Sequence, residues 1–419
     1  MKTTPGRQRC ASRRAVAAAF LVATSAAAIA QLWTQTSAPS NYWTSVACSA
    51  DGSKLVAASD GAIFTSADSG ATWTPTSTPM TNWISVASSA DGTKLVAAVA
   101  VFMGSQYETG GLIYVSADSG ATWTATSAPN TNWSSVASSA DGSKLVAVAG
   151  GTVAYISSAP SGPIFTSADS GASWTATSVS NANCTSVASS ADGSKLVAVT
   201  HGGPIHASTD SGATWTVPNP SFACVSVALS ADGTKLVGGN FDPFHPPGSG
   251  GCFSVSTSTD SGATWYTGLF GQGRAWVASS ADGTRLVAAA GANAFGRSGS
   301  ISTSTNSEVS WTVGNAPVLS WTSVASSADG GKLIAVVRGG GIWTAQSAPA
   351  PRLNLTPFGN GLVISWIVPS TNFALQQNSD LTTTNWTEVM ATPTLNFTNL
   401  ENQVIVLPST GNHFYRLKH

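Results

Sequence analysis

The sequence is poor in charge: 18 Lys and Arg and 19 Asp and Glu make up only 9% of its 419 residues. Its five histidines include none with Cys or carboxylate partners at ligand spacing, so no metal site and no cofactor is expected. Five cysteines are too few for a disulfide-built scaffold, and a chain of this size does not need one. The glycine runs Gly202-Gly203 and Gly339-Gly340-Gly341 do not stand between a strand and a helix pattern, which excludes phosphate loops. No apolar run reaches membrane-spanning length, and the longest considered, Ala15 to Ala30, is too short and Ala-rich to span. That run follows a basic stretch, Met1 to Arg14, and ends in Ala28-Ile29-Ala30, an A-x-A pattern before Gln31. Residues 1–30 therefore read as a secretory signal peptide, and the protein as secreted, cell-surface or periplasmic. Their removal takes away Lys2, Arg7, Arg9, Arg13 and Arg14 and no acid, which leaves 13 basic against 19 acidic residues. An acidic balance argues against nucleic acid or an anionic membrane as the main partner.

What the sequence has in abundance is repetition. The octapeptide Ser66-Ala-Asp68-Ser-Gly70-Ala-Thr72-Trp73 recurs as Ser116 to Trp123, Ser167 to Trp174, Ser208 to Trp215 and Ser258 to Trp265, and decays at Ser304 to Trp311. Its chemistry is that of a tight hairpin, in which Asp accepts backbone N–H groups, Gly supplies a positive φ and Trp covers the closing strand. A second phrase, from Trp43 through Asp51-Gly52 to Lys54, alternates with it. Its Asp-Gly turn returns at Asp91, Asp141, Asp192, Asp232, Asp282 and Asp329, at spacings of 40, 50, 51, 40, 50 and 47 residues. A period of this length holding four short strands is that of a propeller blade. Blade one reads as strand a (Trp43 to Ser49), strand b (Lys54 to Ala58), strand c (Ala62 to Ala67) and strand d (Thr72 to Thr76). The seventh copy stops after Ile342-Trp343-Thr344, while Leu32-Trp33-Thr34-Gln35-Thr36-Ser37 matches strand d. The N-terminal strand is thus expected to complete the last blade and hide its edge. The predicted fold is all-β: a seven-bladed propeller over residues 31–348, a linker at 349–351 and a small β-sandwich over 352–419.

The pattern Ser-x-Asp-x-Gly-x-Thr/Ser-Trp resembles the Asp box (BNR repeat) of the β-propellers of sialidases, xyloglucanases and sortilin-type receptors. It also resembles that of the photosystem II assembly factors, where the ring is a protein-binding platform. Residues 352–419 resemble the fibronectin-III-like or immunoglobulin-like modules that end many secreted bacterial proteins. Likeness to sialidases implies three arginines holding a carboxylate, a Tyr–Glu pair and an Asp acid. Arg274, Arg297 and Arg338, with Tyr107 beside Glu108, are the residues available for that task. Against it, no Phe-Arg-Ile-Pro motif opens the propeller and the blades number seven rather than six. Likeness to xyloglucanases implies two carboxylates facing across a cleft between two propellers; Asp60, Glu108 and Asp242 are available, but there is one propeller.

Strand alternation places the Asp-Gly turns and the octapeptides at one end of the ring, and the b–c loops and d–a connections at the other. The first end absorbs most of the charge. Seven Asp fill the Asp-Gly turns, Asp68, Asp118, Asp169, Asp210 and Asp260 fill octapeptides, and six Lys and Arg285 share one position after the Asp-Gly turn. The irregular residues fall on the second end. Tyr107, Glu108, Asp242, His245, Arg274, Arg297 and Arg338 are accordingly the candidate ligand-binding residues, for a glycan or protein ligand. The function expected is a non-catalytic binding or scaffold module, with a glycoside hydrolase as the alternative and a monomer as the expected state. Trp43, Trp83, Trp133, Trp321 and His206 recur at packing positions. Cys184, Cys224 and Cys252 are candidates for a disulfide, with Cys224–Cys252 and Cys184–Cys224 both open, and Cys48 reads as a buried thiol.

Overall fold

The computed structural model describes residues 32–100, 111–150, 162–180, 182–200, 203–219, 224–240, 252–291, 299–307, 310–346, 353–359, 361–367, 374–379, 386–396, 398–407 and 413–418. Among these there is no α-helix, and none long and apolar enough to cross a membrane. An antiparallel strand a, b, c, d meander repeats seven times: blades two, three, five and six are separate four-stranded sheets, blade four has three strands and a bridge, and blades one and seven join in one eight-stranded sheet. Strand b is Leu55–Ser59, Leu95–Val99, Leu145–Ala149, Leu196–Thr200, Leu236–Gly239, Leu286–Ala290 and Lys332–Gly340 in blades one to seven. In blades one to six every residue of strand b is buried, because a sheet lies against both of its faces; hence the unbroken Leu-Val-Ala composition. The core is accordingly divided among the gaps between blades. Val56, Ala58 and Ile63 of blade one pack on Trp83, Val86 and Ala97 of blade two, and six further clusters repeat the arrangement around the ring.

Strand a is innermost. It runs Asn41–Cys48, Trp83–Ser88, Trp133–Ser138, Cys184–Ser189, Ser226–Leu229, Ala275–Ser279 and Trp321–Ser326. Its serines do more than fit a narrow axis. Ser45, Ser85, Ser135, Ser186 and Ser226 each accept the backbone N–H of the valine one blade on (Val86, Val136, Val187, Val227 and Val277), and Ser323 accepts that of Val46. Blade six carries Trp276 at this register, and its strand a pairs without the bulge found in blades one to four and seven. At the Asp-Gly end the alanine before each turn donates its N–H to the carbonyl of the corresponding alanine in the next blade. The order is Ala50, Ala90, Ala140, Ala191, Ala231, Ala281, Ala328 and back to Ala50, at 2.7–2.8 Å throughout. Seven blades thus close one uninterrupted hydrogen-bond ring.

Ring closure follows the expected route. Leu32–Gln35 pairs antiparallel with Ile342–Gln346, Trp33 opposite Ala345, as the outer strand of blade seven. Strand d is otherwise shorter than expected: two residues (Thr74–Pro75 in blade one), and in blade four only a bridge between Ala207 and Thr216. Blade five is the exception, with long outer strands Cys252–Ser258 and Tyr266–Gln272. The C-terminal part forms two sheets. One holds Asn354–Phe358, Gly361–Ile367, Glu401–Val406 and Thr394–Asn396; the other holds Thr387–Glu388, Ala374–Asn378 and Phe414–Lys418. Ile364, Trp366 and Val404 of the first pack with Leu375, Tyr415 and Leu417 of the second, which makes a sandwich.

Candidate functional site

The octapeptide end is a built electrostatic structure. In blade one Asp68 accepts the Thr72 hydroxyl at 2.6 Å, the Thr72 N–H at 2.8 Å and the Ser66 hydroxyl at 2.8 Å. Those donors, Thr72 first, hold its carboxyl down at about 2. Asp118, Asp169 and Asp260 are held at about 2 in the same way, and Asp210 is lowered likewise. The expected positive φ at Gly70 (92°) is present, and it is preceded by a second at Ser69 (58°), a conformation costly for a residue with a Cβ. In the decayed copy Asn306 keeps the geometry: its Oδ1 accepts the Ser310 N–H at 3.0 Å and its Nδ2 donates to the Ser310 hydroxyl. These side chains are spent on the turn itself.

The Lys after each Asp-Gly turn works between blades. The Lys54 stem lies under Gly92 of the next turn, so close that a Cβ there would meet it at 2.8 Å. Its Nζ donates to Ser119 of the next octapeptide at 3.3 Å. Lys94, Lys144 and Lys332 repeat this toward Ser170, Ser211 and Ser69, the last across the closure. Each lysine also faces the turn aspartate of the following blade. Burial pushes Asp141 upward, but the Ser139 hydroxyl, the Ser143 donors and Lys94 outweigh it and bring the carboxyl to about 2. Asp329 goes the other way: burial raises it and prevails, because Gly331 stands where the other turns supply a Ser or Thr hydroxyl. Two repeat-equivalent clefts lie at this end, of about 140 Å³ beside Lys144 and Ser211 and about 220 Å³ beside Lys54 and Ser119. Both are spaces left between neighbouring copies of the repeat.

Of the residues expected to form a site on the second end, Tyr107, Glu108, Asp242, His245 and Arg297 lie outside the described residues. Arg274 is half-buried at the start of strand a in blade six, and its carbonyl accepts the Gly291 N–H at 2.7 Å. Arg338 is exposed on the long strand b of blade seven, its N–H donating to the Ser320 carbonyl at 3.3 Å. The two arginines thus come from consecutive blades at one end of the ring. Sequence reasoning missed Tyr42 and Met80. Arg338 is the direct strand partner of Tyr42, where strand a of blade one runs on beyond Trp43 to join strand b of blade seven. The Asp60 N–H donates to the Tyr42 carbonyl at 3.0 Å, and the Met80 methyl group approaches Gly61. Tyr42 is 57% exposed and Met80 68% exposed. Tyr42 and Arg338 therefore meet at the seam where the ring closes, and Asp60 and Met80 lie on the neighbouring loops of blade one. The sequence signal was available: Tyr42 precedes the first Trp of the repeat where Asn82, Asn132 and Asn183 precede its counterparts.

Other expectations resolve into packing. Trp43, Trp83, Trp133 and Trp321 are buried, edge-on to Phe64, Tyr114, Phe165 and Trp343 at 5.2–6.4 Å between ring centres. His206 takes the place of Phe64 in blade four, and burial lowers its pKa. Among the described residues no cluster of His, Cys, Asp or Glu is arranged to hold a metal. Cys184 and Cys224 are free buried thiols; a bond between them is one of the two pairings that the sequence leaves open. They occupy the same register in different blades and belong to different inter-blade clusters, which separates them. Burial pushes the Cys184 thiol up to about 12. The Cys252 side chain lies outside the described residues. Cys48 is half-buried by surface area and donates to the Ser326 carbonyl at 3.3 Å; burial raises it to about 12.

No protein-family profile matches the chain, and no curated protein matches it by sequence. Solved structures do. It is similar to a GH74 enzyme of Niastella koreensis (TM-score 0.56, 16% identity, 78% of this chain and 58% of that one). It is equally similar to the GH74 xyloglucanase of Xanthomonas campestris (0.56, 16%, 80% and 59%), so it spans under two thirds of these enzymes' length. It is also similar to YCF48 bound to a D1 peptide, with a TM-score of 0.53 and 13% identity over 76% of this chain and 97% of that one. At such identities the likeness is one of architecture, and the chain is by fold an all-β propeller.

Proposed function

We propose that this chain is an exported, non-catalytic Asp-box propeller whose second end takes a protein or glycan ligand, carried on a C-terminal fibronectin-III-like module. One observation carries the reading: the exposed, non-repeat pair Tyr42 and Arg338 at the closure seam, with exposed Asp60 and Met80 on the neighbouring loops of blade one. A guanidinium beside an exposed phenol offers a charge-assisted contact to a carboxylate and a stacking surface. The octapeptide end, by contrast, has its charges committed to turns and blade contacts. The YCF48–peptide complex supports a protein ligand; the GH74 enzymes support a glycan, and with it the rival reading of a glycoside hydrolase. For the rival, Asp60 is the described carboxylate on the second end, and hydrolysis requires a pair.

The test is binding by calorimetry, with xyloglucan oligosaccharides and with extended peptides bearing acidic residues, set beside a hydrolysis assay on the same glycans. Saturable binding that is lost in Arg338→Ala and Tyr42→Ala, without turnover, is the expected result. Turnover abolished by Asp60→Asn would replace this reading with the hydrolase. Binding unaffected by all three substitutions would remove the seam from the site.

A further inference from the structure

Three exposed residues at the closure lie in one row. Tyr42 and Arg338 are direct partners in the antiparallel pairing of blade one with blade seven. On the other side of Tyr42, the register that sets Trp43 against Ser59 runs one step further: the Asp60 N–H donates to the Tyr42 carbonyl at 3.0 Å. Residues opposite one another in an antiparallel ladder put their side chains on the same face. Arg338, Tyr42 and Asp60 therefore stand side by side, a guanidinium, a phenol and a carboxylate in that order. The row continues to Asn82 of blade two, but Asn82 is 5% exposed, so the accessible part ends at Asp60. Between the two charges the surface is apolar: Tyr42 Cε1 lies against Gly339, 3.8 Å from where a Cβ would stand, and the Met80 methyl group lies likewise against Gly61.

Spacing and charge together define what fits. Neighbouring strands lie about 4.8 Å apart, so the two steps from Arg338 to Asp60 span about 9.5 Å. A fully extended peptide presents one face at every second residue, at about 6.7 Å or about 13 Å, and matches that span poorly. A polyproline II helix turns once in three residues with a rise of about 3.1 Å, which sets residues i and i+3 on one face about 9.3 Å apart. The pair of opposite charges argues against a glycan. An acidic glycan meets Asp60 with a like charge, and a neutral one offers both ionised groups only hydroxyls. A peptide carries both signs.

We infer that the seam binds a proline-rich peptide in the polyproline II conformation, with an acidic and a basic residue three positions apart. The acid meets Arg338, the base meets Asp60, and the chain between them crosses the Tyr42 ring. Such a segment is already extended when free, so it loses little conformational freedom on a surface as open as this one. The inference rests on the reading that the second end takes a ligand, and it names the class of that ligand.

Fluorescein-labelled proline-rich peptides, titrated against the full chain by anisotropy, read the result. A peptide centred on Glu-Pro-Pro-Lys is expected to bind. Peptides centred on Glu-Pro-Lys, Glu-Pro-Pro-Glu and Lys-Pro-Pro-Lys should bind roughly tenfold or more weakly, the loss of one charge-assisted contact. Arg338→Glu should move the preference to Lys-Pro-Pro-Lys, and Asp60→Lys should move it to Glu-Pro-Pro-Glu. Damage to the surface would weaken every peptide alike and exchange no preference. Equal affinity for all of these peptides, or an order of preference that neither substitution alters, overturns the inference. Xyloglucan oligosaccharides bound through Tyr42 and Arg338, with no peptide bound, also overturn it and leave the second end as a binding face. Binding of neither class overturns both readings.

Discussion

Removing one side chain at the closure tests whether the ring depends on its seam. Trp33 belongs to the strand that the N-terminus lends to blade seven; it is 5% exposed and packs on Trp321, with ring centres 6.1 Å apart, inside the cluster between blades six and seven. Trp33→Ala deletes a buried indole and leaves a cavity, a change that costs about 3–5 kcal/mol. That is a large share of the ~5–15 kcal/mol by which domains are stable. Trp33→Phe should behave differently, for a stated reason. The indole N–H of Trp33 is buried without a hydrogen-bond partner, whereas Trp73, Trp123, Trp215 and Trp265 donate theirs to the octapeptide glycine carbonyl at 3.0–3.1 Å. Blade seven has no octapeptide to offer that carbonyl. An orphaned buried donor costs about 1–3 kcal/mol, so the smaller ring loses area but also sheds a penalty, and its net effect should fall near 1 kcal/mol. Exposed Thr34→Ala is the control, expected within about 0.5 kcal/mol of the parent. Urea unfolding gives the energies, and hydrogen exchange localises them: protection should fall first at 342–346 and be kept at 145–149. A Trp33→Ala loss under about 1 kcal/mol, or protection lost evenly around the ring, would refute the seam as the weak point.

Acid should unfold the protein through its octapeptides. Asp68, Asp118, Asp169 and Asp260 sit at about 2, below their ordinary 3.8, so the stability they lend is complete above about pH 4 and is lost as pH falls through about 2. Asp329, shifted upward, contributes with the opposite sign; a tryptophan-fluorescence titration whose midpoint lies well above pH 4 would contradict this account. Asp169→Asn should keep the turn, as Asn306 does, whereas Asp169→Ala should lower the melting temperature. Lys144→Met preserves the stem under Gly193 and should cost less than Lys144→Ala, which should lose about 1 kcal/mol by thermal or urea unfolding. Gly233→Ala forces a Cβ to φ 65° and to 2.8 Å from the Lys195 stem; it should cost over ~1 kcal/mol, and Lys195→Ala in the same chain should recover part of that.

Much of the fold was legible because each blade is specified locally. Turn residues repeat at fixed offsets, Leu-Val-Ala runs mark doubly covered strands, and the orphan strand Leu32–Gln35 carries the Trp-Thr signature of the position it fills. In the C-terminal part the four strands with strong alternation were found, whereas Asn354–Phe358, Thr387–Glu388 and Thr394–Asn396 lack that contrast between faces. Contacts between blades stayed hidden. A lysine or arginine at every repeat gives no sign of its contact until the next turn glycine is seen resting on its stem. Nothing in the spacing of the strand a serines says that their hydroxyls receive an amide of the neighbouring blade. Periodicity reveals that something recurs and is silent on which copy it touches. The seam group escaped notice for the opposite reason: Tyr42 and Arg338 are nearly 300 positions apart, and only closure joins them.

The alanine ring has an electrical consequence. In an α-helix the peptide dipoles add head to tail and leave a partial charge at each end. Here the seven N–H to carbonyl links run head to tail around a circle and return to their start, so their tangential dipoles sum to nothing and no terminus exists for charge to gather. Unlike a helix N-terminus, this circle of links has no end at which an ion could settle.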